Sequence, residues 1–343
     1  MMNMSADGTY RHYQPDPDLE RWLLALPKTE THLHIEGCVT HEQLKRAEPE
    51  RYVHEPAFWA PDFRFASFAQ FNDEFEYWIL PYHCTVERYQ ETAKHAFARC
   101  AAQGCRYVEA SFHLPALTRM DTSGPELLAA MLEVVPEGLE VRLFGGMLHI
   151  DCERNPELLQ AALEWQDLAG IDLHGPEDLP MDAGLPEYWL RARAVGKETK
   201  AHAGEFMPHT FVSQVLDELG VKRIQHGVRA MDDERLIDRL AREQIVLDMC
   251  PISNLKLGVA GVETMANHPL RRFLHAGVRV TVSTDDTFMF GNSLIEEYTA
   301  LVQELGCTRQ ELVQLARHGF ELPGVSPGVR ARALTDLDAM PLV

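Results

Sequence analysis

Thr31-His32-Leu33-His34-Ile35-Glu36-Gly37 is the stretch from which the fold is read. On an extended chain, side chains i and i+2 share a face. His32 and His34 then project together, while Leu33 and Ile35 pack the other way. Two neutral imidazoles on one stiff strand can hold a divalent metal at roughly 2.0–2.1 Å. A lone pair of histidines can also be incidental, so its meaning comes from the segments that follow. Strand-like segments recur at residues 31–36, 106–112, 141–150, 170–173, 198–202, 223–226, 245–250 and 279–284. Helix-like stretches at residues 86–103, 156–167, 208–219 and 233–243 lie between them. Gly104, Gly220 and Gly277 stop helices just ahead of Arg106, Arg223 and Arg279. This alternation predicts an α/β fold, a (β/α)8 TIM barrel with helices around a parallel sheet. A doubly wound open sheet is the alternative, weakened because no G-x-G-x-x-G follows an early strand.

From about residue 41 to residue 87 the first repeat carries a helical insertion. Phe68, Phe71, Phe75 and Trp78 recur there at three- and four-residue spacing and share one helix face. They either pack on the barrel or cover the mouth of a pocket, because barrel active sites form on that rim. Residues 1–18 read as a flexible N-terminal tail and residues 19–343 as a single barrel domain.

The chain has 343 residues, 45% hydrophobic and 24% charged, a composition expected of a soluble globular protein. Lys and Arg number 32 against 52 Asp and Glu, a net charge of −20. Such a surface repels phosphate backbones and anionic lipid, which argues against nucleic acid or a membrane as partner. The 7 cysteines are odd in number and include no C-x-x-C, so neither a disulfide framework nor a cysteine zinc site is expected. Free thiols fit a reducing cytosol, and a cytoplasmic location is the expectation. The first residues are polar, without the apolar run of a signal peptide. No segment approaches the ~18 apolar residues of a membrane span.

Four strand ends carry the chemistry: His32-Leu33-His34, His202-Ala203-Gly204-Glu205, His226-Gly227 and Asp285-Asp286. A barrel brings such ends to one rim. His32, His34 and His202 would supply neutral nitrogens and Asp285 an anionic oxygen, a set that suits zinc with a position left for water. Zinc so held can lower the pKa of bound water to about 7. His226 is either a fourth imidazole ligand or a group that holds the water and acts as base; the second is preferred, since the other four fill the site. Glu205, partly desolvated beside a metal, would have a raised pKa and donate a proton, although a first-turn glutamate also suits a helix dipole. Asp286 would face the substrate or orient its neighbours, its side chain diverging from that of Asp285. Gly175, after Asp172-Leu173-His174, lets a flat ligand approach its amide. No chemistry is assigned to Cys250-Pro251-Ile252-Ser253-Asn254.

Together these segments resemble the adenosine deaminase family, a branch of the metal-dependent amidohydrolases. Leu26-Pro27-Lys28-Thr29-Glu30-Thr31 leads into the first motif. Asp172-Leu173-His174-Gly175-Pro176-Glu177, His202-Ala203-Gly204-Glu205, Arg223-Ile224-Gln225-His226-Gly227, residues 250–254 and Ser283-Thr284-Asp285-Asp286 follow in the family's order. The resemblance implies one zinc per chain and hydrolysis of a small 6-aminopurine to the 6-oxopurine and ammonia. His32, His34, His202 and Asp285 would hold the metal. Glu205 would protonate ring N1, and His226 would position and deprotonate the water. Asp286 would accept a hydrogen bond from the purine and help orient the water, the Gly175 amide would reach a ring nitrogen, and His34 and Glu36 would also face the substrate.

Departures from the family pattern bear on substrate. Adenosine-specific members usually carry Asp where this chain has Glu36, which is more like the adenine deaminase branch. Gln225 replaces a frequent Gly, Thr287 a frequent Pro, and His113 stands unusually near the second strand's rim. The first expectation is adenosine or a 5′-modified adenosine; the alternative is free adenine. A metal-binding barrel without catalysis is the reading from another class, and Glu205 argues against it, since a mere binder needs no proton donor. A dinuclear hydrolase would need a bridging Lys or Glu on the fourth strand. A polynucleotide deaminase would need H-x-E with P-C-x-x-C, absent here. The oligomeric state is left open.

Overall fold

The computed structural model describes residues 13–342. Eight strands form one parallel sheet in simple sequential order: β1 (Lys28–His34), β2 (Cys105–His113), β3 (Glu140–Met147), β4 (Leu168–Leu173), β5 (Glu198–Ala203), β6 (Arg223–His226), β7 (Val246–Met249) and β8 (Arg279–Val282). A bridge between Leu33 and Asp285 brings the last strand's exit back against β1, so the sheet rolls into a barrel. The TIM-barrel expectation is met.

The strand ends differ from the sequence reading in informative ways. β1 stops at His34, because Ile35 turns to helical angles (φ −57°, ψ −47°) and caps the short turn Glu36–Cys38. That turn carries Glu36 off the strand and over the barrel mouth. β3 ends at Met147, where the Leu148 amide donates to Asp151 Oδ2 at 2.7 Å instead of extending the ladder. The helix expected to reach residue 167 ends at Ala162. Residues 1–12 of the expected tail lie outside the described residues. Its end is ordered: the helix Pro17–Ala25 is capped by the Asp16 side chain, which accepts from the Asp18 and Leu19 amides.

The barrel interior is polar at its centre. Arg223 pairs with Glu109 and, at 2.7 Å, with Asp248. Lys200 Nζ lies 3.5 Å from Glu109 and donates to the Thr31 carbonyl at 3.1 Å. Thr31 and Thr281 hydroxyls donate to Asp248 Oδ1 at 2.8 and 2.6 Å. All six side chains are buried. Buried charges cost several kcal/mol each unless paired and hydrogen-bonded, and here every one is.

The outer helices bury one face each. Val86–Ala102, capped by Thr85, turns Tyr89, Ala93, Ala96, Phe97 and Cys100 inward at helical spacing. The insertion's helix, Phe68–Trp78, is capped by Ser67, and its Phe68, Phe71 and Phe75 line one cavity with His34 and Glu36. No helix among the described residues is long and apolar enough to cross a membrane.

Candidate active site

The expected ligands do converge. His32 and His34 leave β1 on one side, His202 comes from β5, and Asp285 follows β8. His32 Nε2 stands 3.0 Å from His202 Nε2. Asp285 Oδ1 lies 3.4 Å from His34 Nε2 and 3.7 Å from His32 Nε2. His32, His34 and His202 form one of the clusters whose donor atoms all fall within 4.8 Å of each other.

Their tautomers show what the cluster accommodates. His32 Nδ1 faces the Asp248 carbonyl at 3.2 Å, and His202 Nδ1 faces the Leu173 carbonyl at 2.9 Å. A carbonyl only accepts, so both Nδ1 atoms carry hydrogen. In the neutral rings both Nε2 atoms then present lone pairs to each other at 3.0 Å. Such an arrangement is repulsive without a cation between the rings and favourable with one. Burial and neighbouring imidazoles hold His32 far below the ordinary imidazole pKa, and burial brings His34 down to about 3, so both rings are neutral, as ligands to a metal would be. Burial acts in the same direction on His202, but the Asp172 carboxylate, 3.3 Å from its Nδ1, outweighs it and raises the pKa. Asp172 is itself held by the Ser111 hydroxyl at 2.8 Å. A carboxylate behind a ligating histidine fixes the ring and raises its basicity.

Backbone strain positions two of the side chains. His226 and Asp285 both have φ of 65°. Non-glycine residues adopt this left-handed conformation at a cost of roughly 1–3 kcal/mol, and such residues cluster at functional sites. The turn lifts each side chain off its strand toward the centre.

Glu205 sits beside His226, with Oε1 3.4 Å from His226 Nδ1. Burial, reinforced by the Asp285 and Glu177 carboxylates, holds its carboxyl well above the usual range, which favours the acid form. Glu177 fixes the loop by accepting from the Glu205, Phe206 and Met207 amides at 3.0, 2.9 and 2.6 Å.

A relay that the sequence reading missed sets the protons here. The Leu270 amide donates to His268 Nδ1 at 3.3 Å, so His268 carries its hydrogen on Nε2 and donates to Asn254 Oδ1 at 3.2 Å. That turns the Asn254 NH2 group toward Glu205 Oε1 and His226 Nδ1, each at 3.1 Å. His226 therefore accepts at Nδ1 and carries its hydrogen on Nε2, which faces Asp285 Oδ2 at 3.9 Å. Ser253 Oγ donates to the same Asp285 oxygen at 2.7 Å. Residues 250–254, given no chemistry above, thus orient three of the central groups.

Asp286 does not diverge from Asp285 as expected. An oxygen of each lies within 4.8 Å of a His34 ring nitrogen. Asp286 Oδ1 is buried without a hydrogen-bond partner among the described residues, and a Cβ on Gly37 would fall 1.8 Å from it. Gly37 is thus the space that Asp286 occupies. Gly175, with φ of +86°, lines the cavity as expected. Glu36 is tied at Oε1 by the Tyr89 hydroxyl at 2.8 Å and the His113 amide at 2.9 Å. Gln225 is buried with neither amide atom hydrogen-bonded among the described residues. Thr287 reaches the Gly37 carbonyl at 3.5 Å.

His34, His202, Glu205, His226, Asp285 and Asp286 face a cavity of about 320 Å³. Phe68, Phe71, Phe75 and Leu257 make its apolar wall, so three of the insertion's aromatics cover the mouth. Trp78 instead packs on Tyr52, Phe58 and Phe288, as core.

Comparison with known proteins agrees with this architecture. The family model described as "Adenosine deaminase" matches residues 27–339. An adenine deaminase of Streptomyces coelicolor is 34% identical over 92% of this chain and 96% of its own. One of Caulobacter vibrioides is 33% identical over 92% and 94%. The crystal structure of adenine deaminase from Arthrobacter aurescens superposes with a TM-score of 0.79, 26% identity, and coverage of 92% and 98%.

Proposed function

The chain belongs to the adenosine deaminase family and is a hydrolytic deaminase acting on C–N bonds; from that premise we propose that its substrate is free adenine, converted to hypoxanthine and ammonia with one zinc ion per chain. The free base replaces the nucleoside as first choice for two reasons. The relatives similar along nearly the whole chain are named adenine deaminases. Glu36 Oε1 is spent on Tyr89 and the His113 amide rather than left to hold a ribose hydroxyl.

The observation that carries the chemistry is the buried Glu205 carboxyl, which faces the cavity beside His226 and Asn254 and is pushed up in pKa by burial. His32, His34, His202 and Asp285 would hold the ion, which when bound acidifies water and polarises the reacting centre. Glu205 donates its proton to ring N1, making C6 electrophilic. His226 Nε2–H donates to the attacking water and fixes its approach, with Asn254 occupying the other ring nitrogen. The Glu205 carboxylate then takes the water's proton and delivers it to the amine at the tetrahedral C6. Loss of the hydroxyl proton as ammonia departs leaves hypoxanthine protonated at N1 and restores the Glu205 acid. Asp286, whose carboxyl burial and the Asp285 charge push up in pKa, donates as the acid to N7, and the Gly175 amide donates to N3.

Purified protein should release ammonia and form hypoxanthine from adenine, with adenosine at least tenfold poorer in kcat/KM. Preference for adenosine would refute the substrate; no turnover of either would refute the reaction.

A further inference from the structure

Outside this machinery the cavity wall holds two histidines with no role in it. His113, at the end of β2, and His174, just past β4, meet across β3: His113 Nδ1 lies 2.9 Å from His174 Nε2, and the rings stack with centroids 5.1 Å apart. The fold makes room for the contact. Gly146 on β3 is registered with His113, and a Cβ there would lie 2.5 Å from His174 Cε1 and 2.8 Å from its Nδ1. Only a residue without a side chain lets His174 fold back over β3 to reach β2.

The hydrogen bond constrains what the pair offers. Burial lowers His113 to about 4 and His174 well below the imidazole range, so both rings are neutral. One proton lies between them. If His174 donates it, the remaining nitrogens are His113 Nε2–H and a bare His174 Nδ1; if His113 donates it, they are a bare His113 Nε2 and His174 Nδ1–H. Either way one acceptor nitrogen remains. Neither outer nitrogen has a hydrogen-bond partner among the described residues, and both side chains line the cavity.

Position around the barrel says which part of a ligand they meet. Glu205 follows β5 and Asp286 follows β8, flanking the reacting edge of a purine bound with C6 toward His226. The β2–β4 arc lies across from them and faces the opposite edge, where the ring carries N3 and N9.

We infer that His113 and His174 form a specificity pair whose free acceptor nitrogen takes the N9–H of an unsubstituted purine base, and so rejects ligands alkylated at that position. This deepens the adenine reading and rests on it. A site built to receive an N–H discriminates against an analogue lacking it more sharply than shape alone, because its own polar atom is left unpaired.

The test measures kcat and KM for adenine and 9-methyladenine with the wild type, His174→Phe and His113→Phe, each checked by circular dichroism and zinc content. Phenylalanine keeps a ring over Gly146 and removes the nitrogens. The wild type should prefer adenine. Each variant should raise KM for adenine about tenfold with a smaller change in kcat, as expected for one lost hydrogen bond to substrate. The preference over 9-methyladenine should shrink by the same factor. His113, at the rim, tests the contact even if the His174 variant does not fold. Equal losses on both substrates would show a merely structural pair and overturn the assignment, as would an unchanged preference. No turnover of adenine by the wild type would instead overturn the substrate reading, and this assignment with it.

Discussion

Replacing Glu205 by Gln separates catalysis from stability at one position. Glutamine has the same length and keeps an oxygen for the Asn254 NH2 group, now 3.1 Å from Glu205 Oε1. It cannot protonate N1 or shuttle a proton to the amine. One positioned acid–base group contributes about 10²–10⁴-fold, or roughly 2.7–5.4 kcal/mol at 1.36 kcal/mol per decade. The kcat for adenine should fall by that factor with little change in KM. Stability should move the other way. Burial and the Asp285 and Glu177 charges raise the Glu205 pKa in the folded protein. Below the unfolded-state pKa of about 4.3 the carboxyl is neutral in both states and costs nothing. Above it the unfolded chain ionises first, and folding loses about 1.4 kcal/mol per pH unit until the folded pKa is passed. The Gln variant should therefore melt at or above the wild-type temperature at pH 7, with the gap closing toward pH 5. A kcat within tenfold of wild type, or a Gln variant less stable at pH 7, would refute the reasoning.

Two further outcomes follow from the geometry. Gly37→Ala would place a methyl 1.8 Å from Asp286 Oδ1 and force that carboxyl aside; a displacement of about 1 Å at a reacting group costs on the order of 10²-fold. Steady-state kinetics should show that loss with an unchanged circular dichroism spectrum, and full activity would refute it. Dialysis against a chelator should abolish ammonia release, and added Zn²⁺ should restore it at one equivalent per chain by elemental analysis; two equivalents, or activity that survives chelation, would count against the single-ion site.

Much of this was readable in advance because the chemistry sits at strand ends. The period-two spacing of His32 and His34 and the glycine stops before β2, β6 and β8 are local signals, and they give the barrel and the rim where the candidate metal ligands meet. What stayed hidden depends on contacts between distant strands. Asn254 matters only because His268 fixes its amide and Glu205 and His226 face it. Gly37 looks like any turn glycine until Asp286 is seen to fill its space. Asp172 is visible in sequence only as part of a motif, because its role behind His202 needs the neighbouring strand. The tethering of Glu36 by Tyr89, which supports the proposed choice of the free base, comes from a helix fifty residues away in sequence and leaves no local trace.

The ion-paired centre of the barrel also limits how this enzyme could be retargeted to other amines. The Asp248 carbonyl that orients His32 belongs to the same residue whose carboxylate receives Arg223, Thr31 and Thr281. Mutational libraries directed at β1, β5, β6 or β7 would unseat a buried charge and a proposed metal ligand in one stroke, and most members would fail to fold. The apolar wall that Phe68, Phe71 and Phe75 of the insertion helix give the cavity shares none of those bonds, so it is where new specificities should be sought.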